Sequence, residues 1–193
     1  MKKPVQFDID GVLADFIAGF TTLAHEYFGT PILSDRTNLK YGTNHIVGAD
    51  NSARVWKMIV DGTDFWWRLP AHADRPTFIR INNLQDERDV YFVTNRPGRW
   101  AKWQTESWLL AHGIWNPTVI VTDLKALPAQ ATGAGYAIED KPGNAVMISY
   151  VNRAIRSFLI DLPYNRINHD MIGGRVERVN TLSEFLDIVE AGE

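Results

Sequence analysis

Short apolar segments alternate with helical patterns over most of the chain, and this alternation restricts the fold more than any other feature. Strand patterns occur at residues 5–10, 90–94, 119–121, 136–139 and 157–162. When each strand is followed by a helix, the strands lie parallel to one another in the sheet. Such a sheet needs helices on both of its faces. The sequence therefore predicts an α/β fold with a Rossmann-like parallel sheet.

Helical patterns with recognisable ends fill the intervals between these strands. Apolar residues recur at helical spacing, bounded by capping residues or glycine, at 16–28, 53–60, 74–84, 100–111, 124–131, 144–151 and 181–190. Residues 30–50 lack such a period and contain scattered Pro, Gly, Asn and Asp residues. We therefore expect loop structure with short helical turns in that segment.

The first two strand patterns end at Asp10 and Thr94, much farther apart than one crossover helix requires. We therefore expect residues 16–77 to form a small, mostly helical cap. It is inserted after the first strand into a core made of residues 1–15 and 78–193. The insertion follows the carboxyl end of a strand, which is the edge of an open α/β sheet where ligands bind.

The composition excludes several kinds of chemistry and partner. The 193 residues include no cysteine, so disulfides, thiolate metal sites and cysteine catalysis are ruled out. A formal net charge of −3 gives no electrostatic basis for nonspecific nucleic-acid binding, and we expect no nucleic-acid partner. No apolar stretch has the length of a signal peptide or membrane span, so we expect a cytoplasmic protein without a membrane partner.

Two aspartates at the end of the first strand give the strongest chemical signal. Side chains alternate along a strand, so Asp8 and Asp10 point to one side, where two carboxylates suit Mg²⁺. Gly11 permits a tight turn that directs backbone N–H groups towards an anion. Turn-forming aspartates at a strand end are also common without catalytic function. The interpretation therefore depends on the other strand ends.

Polar residues stand at the ends of the next three strands as well. Thr94 and Asn95 end the second strand, Lys125 follows the third, and Glu139 and Asp140 end the fourth. Taken alone, each has an ordinary explanation as a turn or surface residue. In a parallel sheet, however, these ends meet at one edge. The ordered set therefore predicts a site for a metal ion and a phosphate.

This ordered set resembles the motifs of the haloacid dehalogenase (HAD) superfamily of phosphotransferases, over residues 5–10 and about 78–162. The resemblance implies a HAD-like core, bound Mg²⁺ and a phosphatase activity. It also implies that Asp8 is the nucleophile that becomes phosphorylated and that Asp10 is the general acid/base. We accordingly expect the metal at Asp8, Asp10 and Asp140, and the phosphate at Thr94, Asn95, Lys125 and Gly11.

The chain departs from the superfamily pattern at two positions. Val12 stands where many members have threonine, and Glu139 stands where aspartate is frequent. Glutamate is one methylene longer than aspartate, so Glu139 either reaches a metal through water or lies just outside the metal's direct ligands. The sequence leaves these alternatives open.

Within the superfamily, the chain is similar to the 5′(3′)-deoxyribonucleotidases. The similarity covers residues 7–16, 123–125, 138–142 and an aromatic cap segment at 65–69. It implies a nucleoside monophosphate as substrate, and stacking of a base on an aromatic ring is worth roughly 1–3 kcal/mol. Such aromatic residues also commonly pack a cap onto its core. The predicted base pocket consists of Phe16, Phe65, Trp66, Trp67 and Arg96.

Two alternatives to a nucleotidase remain at this stage. One is a HAD phosphatase for a sugar phosphate or for a nucleic-acid 3′-phosphate end. The nucleic-acid end would be favoured by basic residues of the cap, which are Arg54, Lys57, Arg68 and Arg75. The other is a catalytically idle member that binds a nucleotide or a protein partner. The retained acids and Lys125 argue against the idle member. A homodimer is compatible with the sequence, which does not determine the oligomeric state.

Overall fold

Six parallel strands form the sheet of the computed structural model, which describes residues 2–33, 35–37, 39–40, 42–166 and 173–192. Their order in the sheet is β3-β2-β1-β4-β5-β6, which places the first strand at the centre. In the register, Phe7 pairs with Phe92 on one side and with Ile138 on the other. The strands are β1 (Val5–Phe7), β2 (Val90–Thr94), β3 (Thr118–Val121), β4 (Tyr136–Glu139), β5 (Arg156–Ile160) and β6 (Val176–Val179).

Helices connect these strands, and the first of them begins and ends at typical capping residues. Asp15 caps the first helix by accepting a hydrogen bond from the N–H of Ala18, and Gly29 ends it in the left-handed region. Two short 3₁₀ turns, Trp66–Arg68 and Gly173–Arg175, complete the elements used below. The α-helices are α1 (Phe16–Phe28), α2 (Asn44–Val47), α3 (Ala49–Asp61), α4 (Arg75–Leu84), α5 (Ala101–Ala111), α6 (Ala126–Ala131), α7 (Pro142–Val151) and α8 (Leu182–Ala191).

Helices cover both faces of the sheet, as predicted. On one face the ring of Phe7 contacts the rings of Phe92 and Phe185, and Phe185 belongs to α8. On the other face Ala137 of β4 belongs to a smaller apolar cluster with Ala129 of α6 and Ile148 of α7. The nearly continuous apolar strands are explained by burial on both sides.

The structure differs from the prediction at the start of one helix and at one strand. Helix α2, four residues long, is a short helical turn of the kind expected within residues 30–50, whereas α3 begins at Ala49, earlier than the predicted start at Ala53. Strand β6 was not predicted at all. It is an edge strand with one partner, and its Glu177 and Arg178 interrupt the apolar pattern that would reveal a strand.

The connection between β1 and β2 contains α1, α2, α3 and the 3₁₀ turn Trp66–Arg68, which is the region predicted to be the cap. Side chains of α1 and α3 belong to the same main hydrophobic cluster as those of the sheet, for example Phe20 and Val55 beside Phe7. The bounds 16–77 for a separate cap stay a prediction. No helix among the described residues has both the length and the apolar character needed to cross a bilayer.

Candidate active site

The carboxylate of Asp8 lies at the buried centre of the sheet's carboxyl edge. Its backbone N–H donates to the carbonyl of Ile138 at 3.0 Å, which continues the pairing of β1 with β4 for one more residue. The side chain is 3% exposed, and its Oδ1 accepts a hydrogen bond from the N–H of Ile9 at 2.6 Å. Lys125 Nζ lies 2.5 Å from the same oxygen. Backbone and side chain together therefore fix the direction of this carboxylate.

Lys125 joins Asp8 to Glu139 within the protein interior. Its Nζ donates to Glu139 Oε2 at 3.3 Å, and the same oxygen accepts from Asn144 Nδ2 at 2.9 Å. Burial alone would lower the pKa of Lys125, but the surrounding carboxylates outweigh burial and raise it. Burial acts to raise the pKa of Asp8, but the charge and hydrogen bond of Lys125, together with the charge of Lys141, lower it below its usual value. Asp8 is therefore an anion, which is the state that its predicted role as a nucleophile requires.

Three buried carboxylates, those of Asp8, Glu139 and Asp140, form a group whose oxygens can lie within 4.8 Å of one another. Glu139 Oε1 and Asp140 Oδ1 are buried without a hydrogen-bond partner. Burial first, and the charge of Asp8 second, raise the pKa of Asp140 to about 7 and that of Glu139 well above its usual value. Excess negative charge and free carboxylate oxygens are what a hard divalent cation such as Mg²⁺ satisfies. The residues present therefore fit a metal ion.

Gly11 gives these acids the space they need. Its φ of +86° lies in the region that favours glycine, and an added Cβ would stand 2.5 Å from Tyr164 Oη and 2.6 Å from Asp140 Oδ2. Tyr164 Oη donates to Asp140 Oδ2 at 2.6 Å. The N–H of Gly11 donates to the carbonyl of Ala14 at 2.8 Å. Gly11 therefore provides clearance for Asp140 and Tyr164, and its predicted place in a phosphate-binding turn stays a prediction.

Asp10 lies beside this group, with its carboxylate turned to a different set of partners. Thr94 Oγ1 donates to Asp10 Oδ2 at 3.2 Å, and Arg96 donates to both carboxylate oxygens, the shortest contact being 2.7 Å. The group of three acids does not include the Asp10 carboxylate, which was predicted to bind the metal. Its exposed fraction of 22% leaves it open to the solvent side of the site.

A cavity of about 520 Å³ opens beside these residues and connects the acids to an aromatic wall. Asp10, Gly11 and Asp140 line one part of it, and Phe16 and Trp66 line another. Asn95, predicted as a phosphate contact, also lines the cavity, as do Trp56 and the basic side chains of Arg36, Lys40 and Lys141. The space therefore offers charged partners for an anionic group and a flat apolar surface for a ring.

The five residues predicted as a base pocket divide into two sets. Phe16 and Trp66 line the cavity, and their rings are stacked with centroids 6.0 Å apart. Phe65 is buried and packs edge-on against Trp66, and Trp67 is 50% exposed; neither forms part of the cavity wall. Arg96 is also absent from the wall because Asp10 and Thr105 engage its guanidinium. Successive residues of a tight turn point in different directions, so adjacency in sequence did not bring the three aromatic rings to one surface.

Several side chains of the site escaped prediction from the sequence. Tyr164 is 24 residues from Asp140, and Asn144 supports Glu139 from the first turn of α7. On the cavity's other side, Arg36 Nη1 contacts both oxygens of Asp15, at 2.9 and 2.7 Å. No spacing rule connects these pairs, since the contacts arise only when the chain folds. The one weak sequence signal is for Asn144, a polar residue that directly follows Pro142-Gly143 in the first turn of the helix after Glu139.

Solved structures of HAD hydrolases share this fold. A putative haloacid dehalogenase-like hydrolase from Burkholderia xenovorans LB400 aligns with a TM-score of 0.61 and 11% identity over 97% of this chain and 99% of its own. L-2-haloacid dehalogenase from Xanthobacter autotrophicus gives 0.58 and 11% over 100% of both chains. The putative HAD-hydrolase YfnB from Bacillus subtilis, bound to magnesium, gives 0.56 and 16% over 98% and 99%. The protein therefore has the HAD-like fold, and the predicted fold class is confirmed.

Comparison of the sequence with family models gives a narrower assignment than the fold does. The family model for 5′ nucleotidase, deoxy (pyrimidine), cytosolic type C protein matches residues 2–191. The chain belongs to this family, and it is a hydrolase of the phosphatase class. This confirms the resemblance seen in the motifs. A search of curated proteins found no match.

Proposed function

We propose that this protein is a Mg²⁺-dependent phosphomonoesterase that dephosphorylates nucleoside monophosphates through an aspartyl-phosphate on Asp8. The observation that carries the proposal is the cavity that joins Asp10 and Asp140 to the rings of Phe16 and Trp66. A substrate with a phosphate at one end and a flat base at the other matches both parts. The family supports the same substrate class.

In the first step, a carboxylate oxygen of Asp8 attacks the phosphorus, and the bond from phosphorus to the nucleoside oxygen breaks. Asp10 gives its proton to that leaving oxygen, a contribution worth typically ~10²–10⁴-fold in rate. Lys125, 2.5 Å from Asp8, directs the attacking carboxylate and supplies positive charge for the phosphoryl oxygens. Thr94, whose hydroxyl contacts Asp10, stands at the strand end where phosphate is expected.

In the second step, a water oxygen attacks the phosphorus and the bond to Asp8 breaks. Asp10 accepts the proton of that water, so the two steps leave it as it began. Asp8 and Asp140, with Glu139 beside them, would hold Mg²⁺, which supplies charge that lets a phosphate dianion approach an anionic carboxylate. The free oxygens Glu139 Oε1 and Asp140 Oδ1 support this assignment.

The aromatic wall of the cavity supports the proposal that the enzyme selects its substrates by their nucleobase. The ring centroid of Phe16 lies 5.4 Å from that of Trp56 and 6.0 Å from that of Trp66, and the two tryptophan rings are 6.4 Å apart, so the three rings pack as one aromatic cluster. An apolar surface of this kind binds a base through its face and accepts different bases. A sugar phosphate has no comparable group, so this surface favours a nucleotide over a sugar phosphate.

Phosphate release in the presence of Mg²⁺ tests the substrate class. Nucleoside 5′- and 3′-monophosphates, sugar phosphates and a 3′-phosphorylated oligonucleotide would be compared, with Asp8→Asn as the control. We expect turnover to favour nucleoside monophosphates and to disappear in Asp8→Asn. Preference for another ester would overturn the substrate class and leave the mechanism standing. A cytoplasmic location and a homodimer stay predictions that fractionation and sedimentation would check.

A further inference from the structure

The guanidinium of Arg96 holds the carboxylate of Asp10 through two short hydrogen bonds. Its Nε donates to Asp10 Oδ2 at 2.9 Å, and its Nη2 donates to Oδ1 at 2.7 Å. The side chain of Arg96 is fully buried, whereas that of Asp10 is 22% exposed. A rigid fork that meets both oxygens fixes the plane of a carboxylate as well as its position.

Arg96 is itself held from two further sides. Its Nη1 donates to Thr105 Oγ1 on α5 at 3.0 Å, and that hydroxyl donates in turn to the carbonyl of Ala101 at 2.7 Å. The guanidinium carbon lies 5.0 Å from the centre of the Trp66 ring. Trp66 is anchored to α5 as well, because its backbone N–H donates to Gln104 Oε1 at 2.8 Å. The guanidinium of Arg96 therefore has little freedom to move together with the Asp10 carboxylate.

We propose that Arg96 is the positioning residue of the general acid/base, which aims Asp10 first at the leaving oxygen and then at the attacking water. The inference rests on the proposed function and deepens it, since Arg96 acts through Asp10 and does not line the substrate cavity. Geometry matters at this point because a misplacement of about 1 Å in a catalytic group can cost about 10²-fold in rate.

The leaving group separates this role from a merely structural one. A nucleoside oxygen leaves as a strong base and needs the proton of Asp10, whereas 4-nitrophenolate is a weak base and leaves without one. If the Asp10 carboxylate is misplaced, phosphorylation of Asp8 by a nucleotide should therefore be slower. Phosphorylation of Asp8 by 4-nitrophenyl phosphate should keep its rate. Release of phosphate from Asp8 should slow for both substrates, because its water attack uses Asp10 in either case.

The experiment is rapid-quench kinetics of Arg96→Met with Mg²⁺, a nucleoside 5′-monophosphate and 4-nitrophenyl phosphate. We expect phosphoenzyme formation from the nucleotide to fall about 10²-fold. The burst of 4-nitrophenolate should keep the wild-type rate, and the nucleotide KM should be unchanged. Equal losses with both substrates would mean general damage to the site, and no loss with the nucleotide would mean that Arg96 does not aim Asp10. Either result overturns the inference.

Three further variants sharpen the test. Arg99→Met, an exposed arginine three residues along the same loop, should behave as wild type. Arg96→Lys keeps the charge without the fork, so a full recovery of rate would contradict positioning. Thr105→Val removes one anchor of the fork and should slow the nucleotide step about fivefold. If Arg96→Met does not fold, the rate of Thr105→Val with the nucleotide tests the positioning role of Arg96 instead. A wild-type enzyme that forms no phosphoenzyme from either substrate would overturn the proposed function itself.

Discussion

At the scale of residues, the site is a small volume in which negative charge exceeds positive charge. Asp8, Glu139 and Asp140 are buried within a few ångströms of one another, and Lys125 is the ammonium that contacts two of them. Burying a carboxylate is costly unless a partner compensates its charge. Two oxygens of the group have no partner. The arrangement is therefore best explained as a site completed by a divalent cation.

Gly11→Ala should disturb the buried acids as well as strain the backbone. The same substitution at another glycine with positive φ should only strain the backbone. The left-handed backbone costs an alanine about 1–2 kcal/mol. At Gly11 the new Cβ would also press on Tyr164 and Asp140. We expect lower stability together with loss of Mg²⁺ binding and activity, measured by thermal unfolding and phosphate release.

Gly113→Ala is the matched control for Gly11→Ala. Gly113 has a φ of +88°, and nothing lies within 4 Å of an added Cβ. The control should lose a similar stability of about 1–2 kcal/mol through backbone strain and keep full activity. Full activity in Gly11→Ala would show that clearance at this position is not required.

The residues at strand ends could be predicted, but their partners could not. Asp8, Lys125 and Asp140 follow buried strands in a fixed order, and a parallel sheet must bring such positions together. Arg96 also follows a strand, yet a loop arginine ordinarily stays in solvent. Its burial depends on Thr105 in a later helix, and sequence periodicity gives no information on that contact.

At the scale of elements, α5 connects the aromatic region to Asp10. Gln104 accepts from the backbone of Trp66, and its neighbour Thr105 accepts from Arg96. Both polar side chains are buried on a helix that also buries Trp108. One helix therefore fixes both the 3₁₀ turn that carries Trp66 and the side chain of Arg96, which is hydrogen-bonded to Asp10.

Phe16→Leu tests the aromatic wall, with Trp67→Leu as its control. Leucine preserves the apolar packing of α1 but removes the flat ring, so kcat/KM for a nucleoside monophosphate should fall about tenfold, within the range of one stacking contact. Turnover of ribose 5-phosphate, which has no base, should not change. Trp67 lies off the cavity, so its variant should match wild type with both substrates.

Equal effects of Phe16→Leu on the nucleotide and on ribose 5-phosphate would contradict base stacking. That result would assign the ring to packing of α1 against Trp56 and Trp66 instead.

Most elements of the sheet could be predicted because burial on both faces gives continuous apolar runs, as in β2 and β5. Strand β6 could not, since an edge strand needs fewer apolar residues and its Glu177 is used in an ion pair with Arg156 of β5. For residues 30–50 the sequence indicated loop with short helical turns, and it did not give the position of α2. One turn of helix buries too little to leave a period in the sequence.

At the scale of the whole molecule, metal binding should couple to stability and to pH. The folded-state pKa of Asp140 is raised from 3.8 to about 7, first by burial and then by Asp8. Between these values the folded protein holds a proton that the unfolded chain releases, so metal-free stability falls as pH rises through that window. Mg²⁺ bound to these acids would displace this proton and restore the lost stability.

We therefore expect Mg²⁺ to raise the unfolding temperature more at about pH 8 than at about pH 5.5, by about 5–10 °C at the higher pH when Mg²⁺ is ~100-fold above its Kd. Differential scanning fluorimetry at matched ionic strength measures this difference. Asp140→Asn should abolish most of the Mg²⁺ effect. A larger effect of Mg²⁺ at the lower pH would contradict the assignment of these acids to the metal.

The most direct test of the account is to find the phosphate on Asp8. The enzyme would be mixed with Mg²⁺ and a nucleoside 5′-monophosphate carrying labelled phosphate, quenched in acid within one turnover, digested and analysed by mass spectrometry. The account predicts a hydroxylamine-sensitive label on the peptide that contains Asp8, and no label in Asp8→Asn. Turnover of the nucleotide without label on Asp8, or label on another residue, would contradict it.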